Sequence, residues 1–151
     1  MKRFITNAVF TTGIMLAPFS AIAADITDTL AAKYKLSEQA FADNNTQVLL
    51  NEFYASDVYV VGEGSAPLSG HEQLAPVLKE LVEGATKIEL TPERTNHKGK
   101  DTVYDFVNYR VFPSDGSEDF NVRSLLVWQK IKGDWRVIAD MYTFGEYKES
   151  K

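Results

Sequence analysis

Few side chains in this chain could carry chemistry. There is no cysteine, which removes disulfides, thiolate zinc sites, iron–sulfur clusters and a Cys nucleophile. The two histidines, His71 and His97, lie far apart in different elements. A zinc or iron site asks for two or three nitrogen ligands with carboxylates close by. This spacing offers no such signature, so neither a metal nor a cofactor is expected. Gly62-Glu63-Gly64-Ser65 is glycine-rich, but the Gly-Lys-Ser/Thr that completes a phosphate loop does not follow. No Gly-x-Ser-x-Gly elbow is present, which disfavours an α/β-hydrolase. An Arg enclosed among apolar neighbours needs a partner or can clamp a carboxylate ligand. Were Arg123 turned inward, Asp140 or Asp105 would be its partners within the chain.

The elements that must position these groups come in two styles. Ile26, Leu30, Tyr34, Ser37 and Phe41 recur at spacings of three and four, which is one face of a helix. Asp25 or Thr27 could cap it, and Asp43-Asn44-Asn45 ends it. Asn44-Asn45-Thr46 also fits a glycosylation acceptor but reads here as turn and cap. Thr46 opens a shorter helix carrying Leu49, Leu50 and Phe53, which ends near Ala55-Ser56-Asp57. Val58 to Val61 is a short strand of branched and aromatic residues. A loop from Gly62 to Gly70 leads to Ser69-Gly70-His71-Glu72, which matches a capping box. The helix after it presents Leu74, Val77, Leu78 and Leu81. Pro76 predicts a late start or a kink, and Gly84 closes the helix.

From Lys87 the apolar period becomes two. Lys98-Gly99-Lys100-Asp101, Ser114-Asp115-Gly116-Ser117 and Lys132-Gly133-Asp134 are hairpin signals. They separate strands at about 87–97, 102–112, 118–130 and 135–145, an antiparallel meander. Phe120, Val122, Ser124, Leu126 and Trp128 share one face of the third of these. Asn121, Arg123, Leu125 and Val127 share the other. Both faces are substantially apolar, so both should be covered. Helices cover one; a second copy of the chain is the simplest cover for the other.

The chain has 151 residues, 16 Lys+Arg, 21 Asp+Glu and a formal net charge of −5. That acidic balance argues against a nucleic-acid partner. Met1-Lys2-Arg3, an uncharged apolar run from Phe4 to Phe19, and Ala21-Ile22-Ala23 have the order of a secretory signal peptide. The apolar core is shorter than the roughly 20 residues that span a bilayer. No cysteine stands at the cleavage point to carry a lipid, so no membrane anchor is expected. The expected division is a leader at 1–23, a domain at 24–145 and a tail at 146–151. The mature protein is then periplasmic or secreted, with a net charge of −7 once Lys2 and Arg3 are gone.

Four segments carry a family resemblance. They are Phe41-Ala42-Asp43-Asn44-Asn45-Thr46, Phe53-Tyr54-Ala55-Ser56-Asp57-Val58, Ser69-Gly70-His71-Glu72-Gln73-Leu74 and Gly133-Asp134-Trp135-Arg136-Val137-Ile138-Ala139-Asp140. In their order and spacing the chain resembles the nuclear-transport-factor-2-like superfamily, and within it the SnoaL-like group. The resemblance implies an α+β fold of the cystatin-like type. In it, a cone-shaped, curved antiparallel sheet wraps the N-terminal helices. It also implies an internal pocket and dimerisation through the outer sheet face. Ketosteroid isomerases of this superfamily place a base after the first short strand, where the matching stretch is Val60-Val61-Gly62-Glu63 and Glu63 is nearest, offset by about one position. Their second acid lies on the third long strand, where this chain has Ser124-Leu125. Tyr34 is placed as a hydroxyl donor, and Arg123 falls on the face the family turns inward. Many SnoaL-like relatives carry His and Ser or Thr near the end of the last strand, where Met141 and Thr143 stand.

The expected pocket therefore involves Tyr34, Tyr59, Glu63, Arg123, Met141 and Thr143, with Glu63 and Asp140 as candidate bases. The superfamily holds isomerases, cyclases, dehydratases and noncatalytic modules, so fold alone does not decide activity. Three functions are compatible with these residues. One is a binder of a small apolar or carboxylate-bearing molecule. Another is a noncatalytic homodimeric interaction module. The third is a lyase or isomerase using a pocket carboxylate as general base.

Overall fold

A computed structural model describes the backbone of residues 19–148 and the side chains of residues 26–148. Helix α1 (Phe19–Ala42) is followed by α2 (Thr46–Val48), which continues as a π-helical turn, Leu49–Phe53. Then come strands β1 (Tyr54–Gly62) and β2 (Leu68–Ser69), helix α3 (Gly70–Glu83), and strands β3 (Ala85–His97), β4 (Thr102–Pro113), β5 (Phe120–Ile131) and β6 (Asp134–Phe144). The expected leader falls mostly on residues 1–18, outside the described residues. Among the described residues no helix is long and apolar enough to cross a membrane.

The helical face read from the sequence is the one that packs. Ile26, Leu30, Tyr34 and Ser37 are all buried, and Phe41 is partly so. The helix begins earlier than the expected cap at Asp25 or Thr27, because residues 19–27 contain no Gly or Pro to stop it. The Asn45 side chain accepts from the Val48 backbone N–H at 3.2 Å, so the turn residue caps α2 as expected. The capping box at Ser69 takes a different form. The Ser69 side chain makes no capping bond, and its N–H instead donates to Gln73 Oε1 at 2.8 Å. Helix α3 starts at Gly70 and runs through Pro76.

One six-stranded sheet runs in the order β2-β1-β6-β5-β4-β3. The meander β3–β6 is antiparallel throughout. However, β1 pairs with β6 in parallel, so the sheet is mixed rather than purely antiparallel. After β1 the chain passes through the loop, β2 and α3 to β3 at the far edge of the sheet, and the meander then brings β6 back beside β1. Lys132 and Gly133 both have positive φ, as the tight two-residue turn between β5 and β6 requires.

The helices pack on one face of the sheet. Val103, Val107, Leu126, Trp128 and Val137 point there and are fully enclosed. Trp128 is gripped edge-on by Phe53 at 5.0 Å and by Tyr34 at 5.8 Å. A single irregularity in β6 changes which of its side chains face the helices. Val127 pairs with Ala139 and Trp128 with Val137, so Ile138 is an extra residue, a β-bulge. It lets Val137 and Asp140 face the same side although they are three apart.

The segment after β6, expected as a tail, lies on the outer sheet face. Tyr147 N–H donates to Asn108 Oδ1 at 2.6 Å, and Asn108 Nδ2 donates back to the Tyr147 carbonyl at 3.2 Å. The Tyr147 ring stacks on Phe106 at 4.9 Å.

Candidate functional site

Between the helices and the inner sheet face lies a cavity of about 240 Å³. Its walls are mostly aliphatic and aromatic, from α3 and the ends of β4, β5 and β6. An apolar cavity of about 150 Å³ already admits a benzene ring, so this one takes a ring with substituents. Leu81, Phe120 and Phe144 line it and are also strongly exposed. Together they make an apolar rim open to solvent.

The polar groups of the cavity converge on Asp140. The bulge at Ile138 turns this side chain inward, where it is 94% buried. The Ser124 hydroxyl donates to its Oδ1, and the Tyr54 hydroxyl donates to its Oδ2 at 3.2 Å. Burial pushes the Asp140 carboxyl up to about 6, and the Ser124 and Tyr54 bonds offset this only in part. Burial and the neighbouring Asp140 charge also raise the Tyr54 and Tyr142 hydroxyls, so both stay neutral. The Tyr109 hydroxyl belongs to the same wall. Its oxygen is buried and has no hydrogen-bond partner. Among the described residues lining the cavity there is no Lys, Arg or His.

A second acid lies in the same cross-strand row. Asp105 pairs with Leu126, which pairs with Asp140. Asp105 is wholly buried and sealed off by donors from Tyr34 and Thr95. Tyr34 is thereby committed to Asp105 and does not line the cavity. Burial raises the Asp105 carboxyl too, against those two bonds.

The other expected residues sit on the opposite face of the sheet. Glu63, Arg123, Met141 and Thr143 line an outer groove of about 550 Å³ with Phe106, Leu125 and Tyr147. Glu63 is exposed. Its carboxylate accepts from the Thr143 hydroxyl and from the Phe144 N–H at 3.0 Å, and these bonds hold it below the usual carboxylate range. Arg123 is exposed rather than inward, and its Nη1 donates to the Glu146 carbonyl at 3.4 Å. It pairs with neither Asp105 nor Asp140, because strand parity puts it on the face away from both. Tyr59 is exposed on that outer face as well. His71 lies at the start of α3, with Nε2 3.4 Å from the Tyr54 carbonyl oxygen, and His97 is exposed at the end of β3. Among the described residues no cluster of three or more His, Asp or Glu could hold a metal ion.

The structure therefore separates Asp140 from Glu63. It also brings in Tyr54, Tyr109, Ser124 and Tyr142, which the sequence did not single out as site residues. Ser124 carried a signal, since it shares the apolar face of β5 with Leu126 and Trp128; the acid it bonds comes from the adjacent strand.

Several solved structures share this architecture. An NTF-2 like protein of unknown function from Shewanella oneidensis superposes with a TM-score of 0.69 at 11% identity, covering 78% of this chain and 98% of its own. A candidate scytalone dehydratase from Novosphingobium aromaticivorans gives 0.68 at 9% identity, covering 87% and 94%. A ketosteroid isomerase-like protein from Erwinia carotovora atroseptica gives 0.66 at 14% identity, covering 80% and 96%. The chain has the nuclear-transport-factor-2-like fold. No protein-family model and no curated protein matches the sequence.

Proposed function

We propose that this protein binds a compact, mainly apolar molecule inside the cone. The observation that carries the reading is the apolar-walled cavity of about 240 Å³ that opens through the Leu81, Phe120 and Phe144 rim. A carboxylate-bearing ligand would have to use Arg123, which is on the other face of the sheet. Filling the cavity with Val122→Trp should abolish binding of a small hydrocarbon such as ethylbenzene, followed by ligand-observed NMR. Unchanged binding in that variant, or no binding to the wild type, would remove the reading.

Two further readings rest on particular features. Asp140, whose carboxyl is raised to about 6 beside three tyrosines, is suited to take a proton from a bound carbon acid. The dehydratase-like and isomerase-like neighbours are compatible with that chemistry. Hydrogen–deuterium exchange into a cavity-bound ketone, lost in Asp140→Asn, would support it. The outer face, with Tyr59 and Met141 exposed, suits pairing with a second copy. Export with cleavage after Ala23 remains the reading of residues 1–23. N-terminal sequencing of the protein from its native host tests it, and an intact Met1 would reject it.

A further inference from the structure

We propose that the cavity selects a hydrophobic amine, whose ammonium group donates to Asp140 and to the Tyr109 hydroxyl oxygen while its apolar part fills the cone. This rests on the cavity being a binding site and specifies the class of ligand it takes.

The first support is a charge without a partner. Asp140 is the sole acid among the described residues lining the cavity, and no basic side chain lines it. A buried carboxylate ordinarily pairs with a cation of the protein, because removing it from water is costly. Here it has two neutral hydroxyl donors instead, from Ser124 and Tyr54. A carboxylate offers about four lone-pair sites, so two donors leave room for an incoming N–H. A bound ammonium would supply the missing counter-charge. A bound carboxylate would meet like charge with no compensation.

The second support is independent of Asp140. The buried Tyr109 oxygen has no partner, and an unmet buried hydroxyl is costly. It can accept a second ammonium N–H. The third is the wall itself. Phe41, Tyr54, Tyr109, Phe120, Tyr142 and Phe144 all line the cavity. Aromatic faces attract a cation most strongly where water is excluded. An apolar rim with an acid and aromatic rings behind it accepts a molecule that is greasy at one end and cationic at the other.

The test compares four probes of nearly equal shape with the full-length protein at pH 7.5. They are 2-phenylethylamine, 2-phenylethanol, phenylacetate and ethylbenzene, measured by titration calorimetry or competitive NMR. The amine should bind about tenfold or more tighter than the alcohol, the scale of a charge-assisted hydrogen bond, and phenylacetate should bind weakest. Asp140→Asn should erase the amine's advantage while leaving the alcohol's affinity within a few fold. Tyr109→Phe should weaken the amine several-fold, and a melting temperature no lower than that of the wild type in either variant shows that the fold is intact.

Lowering the pH through about 6 should weaken the amine as Asp140 gains a proton, with no matching change for ethylbenzene. The titratable groups around Asp140 are Tyr54 of β1, Tyr109 of β4 and Tyr142 of β6, all held neutral by burial. His71 of α3 touches the Tyr54 carbonyl, so His71→Gln is run alongside and should keep the same pH profile. An alcohol or a carboxylate that binds as tightly as the amine overturns the inference. So does ethylbenzene binding without any amine preference, and in that case the apolar-cavity reading survives. If none of the four binds, that reading falls and the inference falls with it.

Discussion

Asp140 shows how one side chain's surroundings set its behaviour. Its carboxyl titrates near 6 in the folded protein because burial penalises the charged form. The unfolded chain releases that proton near the ordinary value of 3.8. Between those two values the folded state holds the proton more tightly. Its contribution to stability is therefore complete below about 4 and is lost as pH rises through about 6. The loss is of the order of 3 kcal/mol. Asp140→Asn should flatten that part of the profile, so the gap between the pH 5 and pH 8 melting temperatures should shrink. An unchanged gap would show that Asp140 is not the titrating group. Asp105 is raised by burial as well and acts in the same direction, so some slope should persist. Tyr34→Phe should cost about 1–3 kcal/mol, because it leaves wholly buried Asp105 without one of its two donors. Chemical denaturation measures that loss, and a change well under 1 kcal/mol would mean that water replaces the phenol.

At the scale of elements, the bulge in β6 and the close approach of β1 to β6 shape the cavity. Were β6 unbulged at Ile138, the alternation that buries Trp135 and Val137 would turn Asp140 outward. The joint at Gly62 is equally specific. A Cβ there would come within 3.0 Å of Tyr142 Cε2 and nearer still to its hydroxyl. Tyr142 lines the cavity, so its ring would have to swing. Gly62→Ala should destabilise by about 1–3 kcal/mol, as overpacking does, and should weaken binding of cavity probes. Thermal melts and the same titrations check both, and unaltered values would mean that the ring moves freely. The helical face of α1 and the meander strands were legible in the sequence, because local periodicity alone produces them. The capping pattern at Ser69 was not, because Gln73 competes for the same N–H one residue further on.

For the whole molecule, the two sheet faces are chemically different. The inner face encloses the cavity and both buried acids. The outer face carries Arg123, Glu63, exposed Met141 and Tyr59, and the docked Tyr147. If a second copy covers that outer face, sedimentation at micromolar concentration should show a dimer. Met141→Glu should then yield a monomer whose cavity still binds its probe. A wild-type monomer under those conditions would contradict the interaction-module reading. Arg123 belongs to this outer surface, so substituting it should leave cavity binding untouched.

By itself the sequence determined what depends on local order. That includes the acidic charge, the absence of thiol chemistry, the helix-then-meander succession, and the parity that separates Arg123 from Ser124. Parity says which residues share a face, but not which face meets the helices. That choice is made when α1 and α3 pack, and it put Ser124 inside and Arg123 outside. A bulge shifts parity by one residue and leaves no clear mark in composition. The tertiary structure therefore decided that Asp140, not Glu63, is the acid of the cavity. The physical reason is that the free energy of a carboxylate depends on burial and partners, and both come from strands distant in sequence.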